Sequence, residues 1–267
     1  MKNKYNLILS VSSDIGFEIA KKWLGKKKII GTYLTFSNKI RYLKSNGVEL
    51  YKLDFKNKKK IDEFSESISK KNIVNIISTV GSLDPISSLR KVNFDTWTES
   101  IMINSINQIR CINNIIKNKK KLIRIVLFAG GGTNNATANY SAYTLSKMML
   151  IKFAELIDFE MKNINCSIIG PGVVKTKLHN STFINKKFAG ENFKKIKKKL
   201  NGPNSVPISM VVKCIEWILK QNKKVISGRN ISLVHDAWGS TQIIGALSKD
   251  NNLYKLRRYG NEKLIKK

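Results

Sequence analysis

Short apolar runs alternate with amphipathic stretches along most of this chain. Seven of the short runs have the length and composition of buried strands: Asn6–Leu9, Lys28–Tyr33, Val48–Leu53, Ile73–Ser78, Leu122–Phe128, Cys166–Ile169 and Asn230–Val234. Five longer stretches repeat apolar residues every three or four positions and predict helices: Ile15–Leu24, Lys58–Lys70, Thr96–Lys117, Asn139–Lys162 and Ser209–Gln221. This order predicts an α/β fold, with a doubly wound, mostly parallel, seven-stranded sheet between helices on both faces.

The chain of 267 residues contains no internal repeat and no linker rich in proline or glycine. We therefore expect a single domain over residues 1–267. A domain of this size buries enough apolar surface to fold without disulfides or metals. The three cysteines are scattered, which predicts reduced thiols and no metal site.

The formal net charge is +31, because lysine is abundant in nearly every segment. Attraction to an anionic partner, such as nucleic acid, a membrane surface or a phosphorylated substrate, is one interpretation. Compositional drift is the other, and we favour it because basic and aromatic residues do not interleave as on a nucleic-acid platform. The first apolar run is too short for a signal peptide, and no run is long enough to span a bilayer. We expect a cytoplasmic protein with no specific nucleic-acid partner.

A candidate anion site follows the first strand, where the sequence reads Ser10-Val11-Ser12-Ser13-Asp14-Ile15-Gly16. A tight turn that leads into a helix directs free backbone N–H groups and the helix dipole at one spot. Ser12 and Ser13 are also residue types that cap helix N-termini. In doubly wound sheets, ligands bind beyond the carboxyl ends of the strands, which is where this turn lies.

The candidate chemistry lies in Tyr143-Thr144-Leu145-Ser146-Lys147, on the long helix after the most apolar strand. Residues four positions apart share a helix face, so the phenol and the ammonium are one turn from each other. A nearby ammonium favours tyrosinate, so we expect Lys147 to lower the pKa of Tyr143. The phenol can then exchange a proton with an alcohol or carbonyl near neutral pH.

Together these segments resemble the short-chain dehydrogenase/reductase family, whose fold is of the Rossmann type. The resemblance covers roughly residues 6–238 and implies NAD(P) as cofactor and hydride transfer to or from a small carbonyl or alcohol substrate. Its implied catalytic residues are Tyr143, Lys147 and Asn104, the last of which would support a proton-relay water. Its implied cofactor-binding residues are Ser10, Ser12, Ser13, Asp14, Ile15, Gly16, Asp54, Phe55, Gly81, Tyr143, Lys147, Pro171, Gly172, Val174 and Thr176.

The chain departs from the family pattern at three points that bear on activity. Ser78-Thr79-Val80, after the fourth strand, replaces a family motif of which only Gly81 remains. Ser10 replaces the first glycine of the turn. In the family, that glycine lets the backbone approach the cofactor closely. Ala129-Gly130 stands where a serine would stabilise the developing oxyanion, and Thr133, Ser141 or backbone N–H groups are the candidate substitutes. Two functions remain open: an active oxidoreductase, or a catalytically impaired relative that binds a dinucleotide as a structural or regulatory partner.

Further details follow from the resemblance. The second strand ends without an acidic residue, and the nearby Lys39 and Arg41 favour NADP slightly. Residues 177–207 correspond to the loop that covers the substrate. Their many lysines suit an anionic, sugar-like molecule or simply form a solvated helical face, and we favour the second interpretation. This insertion and the ending at Ser227–Trp238 resemble family members of surface-polysaccharide biosynthesis. The resemblance also implies a homodimer or homotetramer, with residues 253–267 as a basic tail.

Overall fold

The computed structural model describes residues 3–202 and 205–258. Part of the predicted substrate insertion (203–204) and of the predicted basic tail (259–267) lies outside the described residues. The seven strands are β1 (Tyr5–Leu9), β2 (Lys28–Tyr33), β3 (Glu49–Lys52), β4 (Ile73–Ser78), β5 (Ile123–Phe128), β6 (Ile164–Gly170) and β7 (Asn230–Ser232). They form one sheet in the order β3-β2-β1-β4-β5-β6-β7, and every neighbouring pair is parallel. The predicted doubly wound architecture is confirmed, and the sheet is parallel throughout.

Twelve α-helices connect or flank the strands within the described residues. They are α1 (Asp14–Trp23), α2 (Asn38–Ser45), α3 (Lys58–Ser69), α4 (Phe94–Ile101), α5 (Asn107–Ile116), α6 (Ser141–Glu160), α7 (Asn180–Ile184), α8 (Lys186–Ala189), α9 (Glu191–Asn201), α10 (Ile208–Lys220), α11 (Lys223–Ile226) and α12 (Thr241–Lys249). A π-helical turn (Met102–Ile106) joins α4 to α5, so the single helix predicted over Thr96–Lys117 has an irregular middle. Helix α2 was not predicted, because only Ile40 and Leu43 of its eight residues are buried. The individual helices α7, α8, α9, α11 and α12 were not predicted either.

Two apolar layers hold the sheet, one on each face. The first packs Leu7, Ile76, Ile125 and Ile168 of the central strands against helices α3, α5 and α6. The second packs the alternate strand residues, such as Ile8 and Val126, against α1 and α10. Because central parallel strands are covered on both sides, their sequences are nearly continuous apolar runs, as the pattern predicted. No helix among the described residues is long and apolar enough to cross a membrane.

Candidate active site

The turn between β1 and α1 keeps a glycine-like backbone although its first position is a serine. Ser10 has a φ of +63°, in the left-handed region that glycine adopts without strain. Ser13 caps α1, since its Oγ accepts a hydrogen bond from the Gly16 N–H at 2.9 Å. A Cβ on Gly16 would lie 2.5 Å from the Ser10 carbonyl oxygen, so only glycine allows the helix to approach the turn this closely.

The same turn presents unused hydrogen-bond donors. Among residues 3–202 and 205–258, no group accepts a hydrogen bond from the backbone N–H of Ser12, Asp14 or Ile15. These N–H groups lie at the N-terminus of a ten-residue helix, where the helix dipole also favours an anion. The turn therefore has the donor set that a phosphate group needs.

Asp14 connects this helix terminus to two other segments. Its carboxylate accepts a hydrogen bond from Lys39 Nζ at 2.6 Å and from the backbone N–H of Lys177 at 2.7 Å. Burial acts to raise the pKa of Asp14, but these two hydrogen bonds and the charges of both lysines outweigh it and lower the pKa. Asp14 thus fastens the start of the 177–207 segment and the start of α2 to the edge of the crevice.

The phenol and the ammonium on α6 lie on the same buried face of that helix. Tyr143 is 7% exposed and Lys147 2% exposed, and the Lys147 Nζ lies 5.5 Å from the centre of the tyrosine ring. Lys147 Nζ donates to the carbonyl oxygen of Val80, just after β4, at 3.4 Å. A Cβ on Gly81 would lie 3.9 Å from the same Nζ. The structure therefore brings Tyr143, Lys147 and Gly81 together at the carboxyl edge of the sheet.

The expected lowering of the Tyr143 pKa is not found. Burial raises the pKa of Tyr143 to about 12, and burial lowers the pKa of Lys147 to about 8. Both shifts have one cause, because a dry environment disfavours tyrosinate and ammonium alike. In the protein without ligand, the phenol is therefore firmly protonated, and Lys147 is the member of the pair that titrates nearer to neutral pH.

The position expected to carry a serine is occupied by the tyrosine ring. A Cβ on Gly130 would lie 2.5 Å from Cε1 and 2.7 Å from the hydroxyl oxygen of Tyr143, so a larger residue there would require the tyrosine ring to move. The candidate substitute Thr133 uses its hydroxyl to donate to the Gly130 carbonyl oxygen at 3.1 Å. Ser141 Oγ accepts from Trp97 Nε1 at 3.0 Å. Within the described part of the chain, the backbone N–H groups of Gly130 and Gly131 donate to no acceptor.

Asn104 lies in the π-helical turn and is fully buried. Its Oδ1 accepts from the Ser82 N–H at 2.8 Å, and its Nδ2 donates to the Ser82 carbonyl at 2.9 Å. The irregular turn frees backbone carbonyls, and the buried Gln108 side chain donates to those of Ile103 and Asn104 at 3.1 and 2.7 Å. Asn104 therefore holds the loop after β4 against the π-helical turn.

Two of the predicted cofactor positions follow β3, which is separated from the turn-bearing strand β1 by β2. Asp54 Oδ1 accepts from the Lys56 N–H at 2.9 Å and closes a local turn. Phe55 packs its ring into the core, and its carbonyl accepts from Asn107 Nδ2 at 2.6 Å. Their contact with a cofactor remains a prediction.

The element Pro171–Thr176 follows β6 and leads into the segment over the site. Gly172 has a φ of +72°, and a Cβ there would lie 2.5 Å from Val234 Cγ2. Val174 pairs with Val206, which returns the far end of the insertion to the sheet edge. Thr176 precedes a short 3₁₀ turn (Lys177–His179).

Apolar side chains from the loop after β4 and from the segment after Thr176 cover the phenol. Tyr143 packs in a cluster that contains Tyr140, Leu83, Ile86 and Ala189. Tyr140 and Thr182 share a hydrogen bond of 3.0 Å, and Ser181 donates to the Asp84 carboxylate at 2.8 Å. The site described here is thus closed over Tyr143.

Comparison with known proteins decides the family. The sequence profile described as short chain dehydrogenase matches residues 4–187. The chain belongs to this family. The resemblance drawn from the sequence motifs is therefore confirmed at the family level. No functionally curated protein shows a significant match to this sequence.

Solved structures of short-chain dehydrogenases share the fold. A short-chain dehydrogenase/reductase of Saccharomyces cerevisiae has a TM-score of 0.79 at 17% identity, covering 92% of this chain and 99% of that chain. A 4-hydroxyisoleucine dehydrogenase complexed with NADH has a TM-score of 0.74 at 22% identity, covering 90% and 100%. A variant of actinorhodin polyketide ketoreductase with NADPH has a TM-score of 0.73 at 16% identity, covering 87% and 97%. At these identities the likeness shows the fold.

Sequence reasoning missed two residues that shape the site of this short-chain dehydrogenase. Thr79 accepts from Ser13 Oγ at 2.8 Å and contacts the Ser10 carbonyl at 2.9 Å, so it ties β4 to the turn. Gln108 donates hydrogen bonds to backbone carbonyls of the π-helical turn and accepts one from Ser78 Oγ at 2.6 Å. Thr79 was grouped with a departure from the family pattern, and only its position after β4 could have marked it. No sequence signal marks Gln108, because its role depends on an irregular helix.

Proposed function

We propose that this short-chain dehydrogenase is an NAD(P)-dependent oxidoreductase that reduces a carbonyl group on a small substrate. The observation that carries the proposal is the buried pair Tyr143 and Lys147 beside Gly81 at the carboxyl edge of the sheet. A phenol held protonated beside a glycine-lined crevice suits proton donation to a carbonyl oxygen.

The residues present fit a dinucleotide. The free N–H groups of Ser12, Asp14 and Ile15 would hold its phosphates, and Gly16 allows the close approach. Lys147 would bind the nicotinamide ribose, and Thr176 would hold the carboxamide of the ring, as the family resemblance implies. When bound, the nicotinamide supplies the hydride.

Tyr143 would act as the general acid of the reduction. Because burial raises its pKa to about 12, the hydroxyl keeps its proton at neutral pH and is ready to donate it. Lys147, with a pKa lowered to about 8, would become the proton source behind it once substrate and cofactor fill the site. The unused N–H groups of Gly130 and Gly131 would take the part of the missing serine and stabilise the oxyanion.

We propose NADP as the preferred cofactor. Lys39 lies at the start of α2, close enough to the helix terminus to bind Asp14, and no acidic residue ends β2. A 2′-phosphate would recruit this ammonium. Among the similar structures, the actinorhodin ketoreductase variant contains NADPH and the 4-hydroxyisoleucine dehydrogenase contains NADH, so neither cofactor is favoured by that comparison. Comparing KM for NADPH and NADH in wild-type protein and in Lys39→Gln tests this choice, since the variant should lose most of the discrimination.

The substrate class we propose is an anionic, sugar-like carbonyl compound of surface-polysaccharide biosynthesis. Helix α9 follows directly after the segment that packs over Tyr143. It carries the exposed residues Lys194, Lys195, Lys197, Lys198 and Lys199. These side chains would attract a phosphorylated or nucleotide-linked sugar.

We also propose that the protein is a homo-oligomer. On α6, the side of the helix away from the catalytic face exposes Leu145, Met149, Leu156 and Phe159, and Phe159 is 88% exposed. An apolar stripe of this kind is typical of a subunit interface. Light scattering on the purified protein measures the oligomeric state directly.

The oxidoreductase proposal is tested by steady-state oxidation of NADPH and NADH with a panel of ketones and keto-sugars. Tyr143→Phe should lower the rate about 10²- to 10⁴-fold, because it removes only the proton donor. Tyr42→Phe, which alters an exposed tyrosine on α2, is the matched control and should leave the rate unchanged.

A protein that binds the dinucleotide tightly and turns over no member of the panel would instead favour the impaired, dinucleotide-binding relative. Equal rates for wild-type protein and Tyr143→Phe would rule out the role assigned to the phenol.

A further inference from the structure

A row of polar side chains crosses the sheet at its amino end, far from the candidate active site. Asn6 of β1 pairs in register with Asn75 of β4, Asn75 with Arg124 of β5, and Arg124 with Asn165 of β6. Each polar residue lies two or four positions before an apolar residue of the same strand: Ile8, Ile77, Val126 or Ile169. Residues at even spacing in a strand point to the same side, so the polar residues share the face that packs against α1 and α10. A central parallel sheet normally buries apolar residues here, so four adjacent polar residues require a reason.

Several atoms of this row lack hydrogen-bond partners. Asn6 Nδ2 donates to the Lys28 carbonyl at 3.2 Å, and Asn75 Nδ2 donates to Asn6 Oδ1 at 2.7 Å. Among the described residues, no partner contacts the buried atoms Asn75 Oδ1, Arg124 Nε and Asn165 Oδ1. Buried polar atoms without partners cost stability, and native proteins keep them where a ligand or water completes the bonding.

The middle of the row opens into a cleft of about 610 Å³ between the amino ends of the strands and the last turns of α1 and α10. Asn75 and Arg124 lie in its wall. Its other charged residues are Lys4, Lys27, Lys121, Lys220 and a single carboxylate, Glu216. Within residues 3–202 and 205–258, none of the five cations forms an ion pair.

The cations crowd one another at the mouth of this cleft. Lys27 Nζ lies 3.7 Å from the centre of the Trp23 ring, and the Trp23 indole donates to Glu216 Oε1 at 3.1 Å. Burial lowers the pKa of Lys27, the charge of Lys220 lowers it further, and Glu216 opposes both. The positive charge is therefore poorly compensated, and an anion would relieve it.

We propose that this amino-edge cleft binds a small, multiply charged phosphorylated ligand. The planar guanidinium of Arg124 would bind the phosphate oxygens, and Lys27 and Lys220 would neutralise the remaining charge. The volume lies in the range of small-molecule sites. Among the described residues that line the cleft, none is aromatic and able to stack on a base, which favours a small ligand over single-stranded nucleic acid.

Calorimetric titration with sodium tripolyphosphate tests the proposal, at low and at physiological ionic strength. We expect tripolyphosphate to bind, and Lys27→Gln/Lys220→Gln to weaken the affinity by about tenfold or more. Lys58→Gln/Lys59→Gln removes the same charge from exposed positions at the start of α3 and should change the affinity less than about twofold. Arg124→Lys keeps the charge but loses the fork, so it should also weaken binding.

Several outcomes would overturn the assignment. The proposal fails if the wild-type protein does not bind tripolyphosphate, or if the two double variants weaken binding equally. It also fails if Lys39→Gln abolishes binding, because that result would locate the anion at the turn before α1. Binding of a single-stranded oligonucleotide that depends on Lys27 and Lys220, without binding of tripolyphosphate, would assign the cleft to nucleic acid instead. Thermal unfolding of each variant shows whether it is folded. If the Lys27→Gln/Lys220→Gln variant does not fold, the affinity of Arg124→Lys still tests the cleft.

Discussion

The turn after β1 and the connection after β5 both lack a residue of the family pattern, and the consequences differ. At the turn, Ser10 replaces a glycine but keeps a φ of +63°, so the backbone donors of α1 stay in place. At the connection, the position of the serine is filled by the ring of Tyr143, which leaves no room for a side chain on Gly130. A function carried by backbone groups survives a substitution at the cost of strain. A function carried by a single hydroxyl is lost with that side chain, so other groups must take it over.

The connection after β5 should be the more sensitive region. Gly130→Ala places a methyl group 2.5 Å from Tyr143 Cε1, so the ring must move from its position above the crevice. We expect an activity loss of about 10²-fold and a destabilisation of roughly 1–3 kcal/mol. Steady-state rates and urea unfolding measure the two effects.

Gly131→Ala is the matched control, because a Cβ there meets no atom within 4 Å and the backbone needs no left-handed conformation. Equal activity loss in both variants would mean that glycine flexibility, and not contact with the ring, matters at this connection.

Most of the fold could be predicted because apolar periodicity reports burial directly. The seven strands were predicted within a few residues of their ends, since each contains a short cluster of apolar residues bounded by polar ones. Helix α2 escaped because a short helix with two buried residues leaves almost no periodic signal. The π-helical turn escaped because one irregular turn does not disturb the apolar face around it.

The candidate site was only partly predictable, for a different reason. The spacing of Tyr143 and Lys147 fixes that they share a helix face, and they do. The direction of the Tyr143 pKa shift was predicted wrongly, because the sequence does not reveal that the phenol is buried under Leu83, Ile86 and Ala189. The contact between Gly130 and the ring joins two elements by packing, and no local pattern encodes it.

The buried pair should also make the stability of the catalytic region depend on pH. The pKa of Lys147 is about 8 in the folded protein and near 10.5 in the unfolded chain, so the unfolded chain binds more protons between these values. Folding therefore becomes more favourable as pH rises from about 8 to 10.5. Tyr143 has the opposite effect from pH 10 to about 12, where only the folded protein keeps the phenolic proton.

Urea unfolding at pH 7.5 and 9.5 (roughly the two sides of the lower pKa) isolates the lysine. From pH 7.5 to pH 9.5, the free energy of unfolding of the wild-type protein should rise by roughly 1–2 kcal/mol more than that of Lys147→Met. Lys213→Met, at an exposed position on α10, should show no such difference from wild type. A difference of zero for Lys147→Met as well would mean that Lys147 is neutral or solvated throughout.

The smallest effect is expected at the turn after β1, where the missing glycine can be restored. A left-handed conformation costs a residue with a Cβ about 1–2 kcal/mol, and the greater freedom of glycine in the unfolded chain offsets roughly half of that. Ser10→Gly should therefore raise the free energy of unfolding by about 0.5–1 kcal/mol, whereas Ser10→Ala keeps the strain and should not. The dinucleotide affinity of Ser10→Gly should stay within about twofold of wild type, since the N–H groups of Ser12, Asp14 and Ile15 do not depend on the Ser10 side chain. Equal stability of the glycine and alanine variants would show that the turn carries no strain, and a large gain in affinity would show that the serine had been holding the backbone away from its ligand.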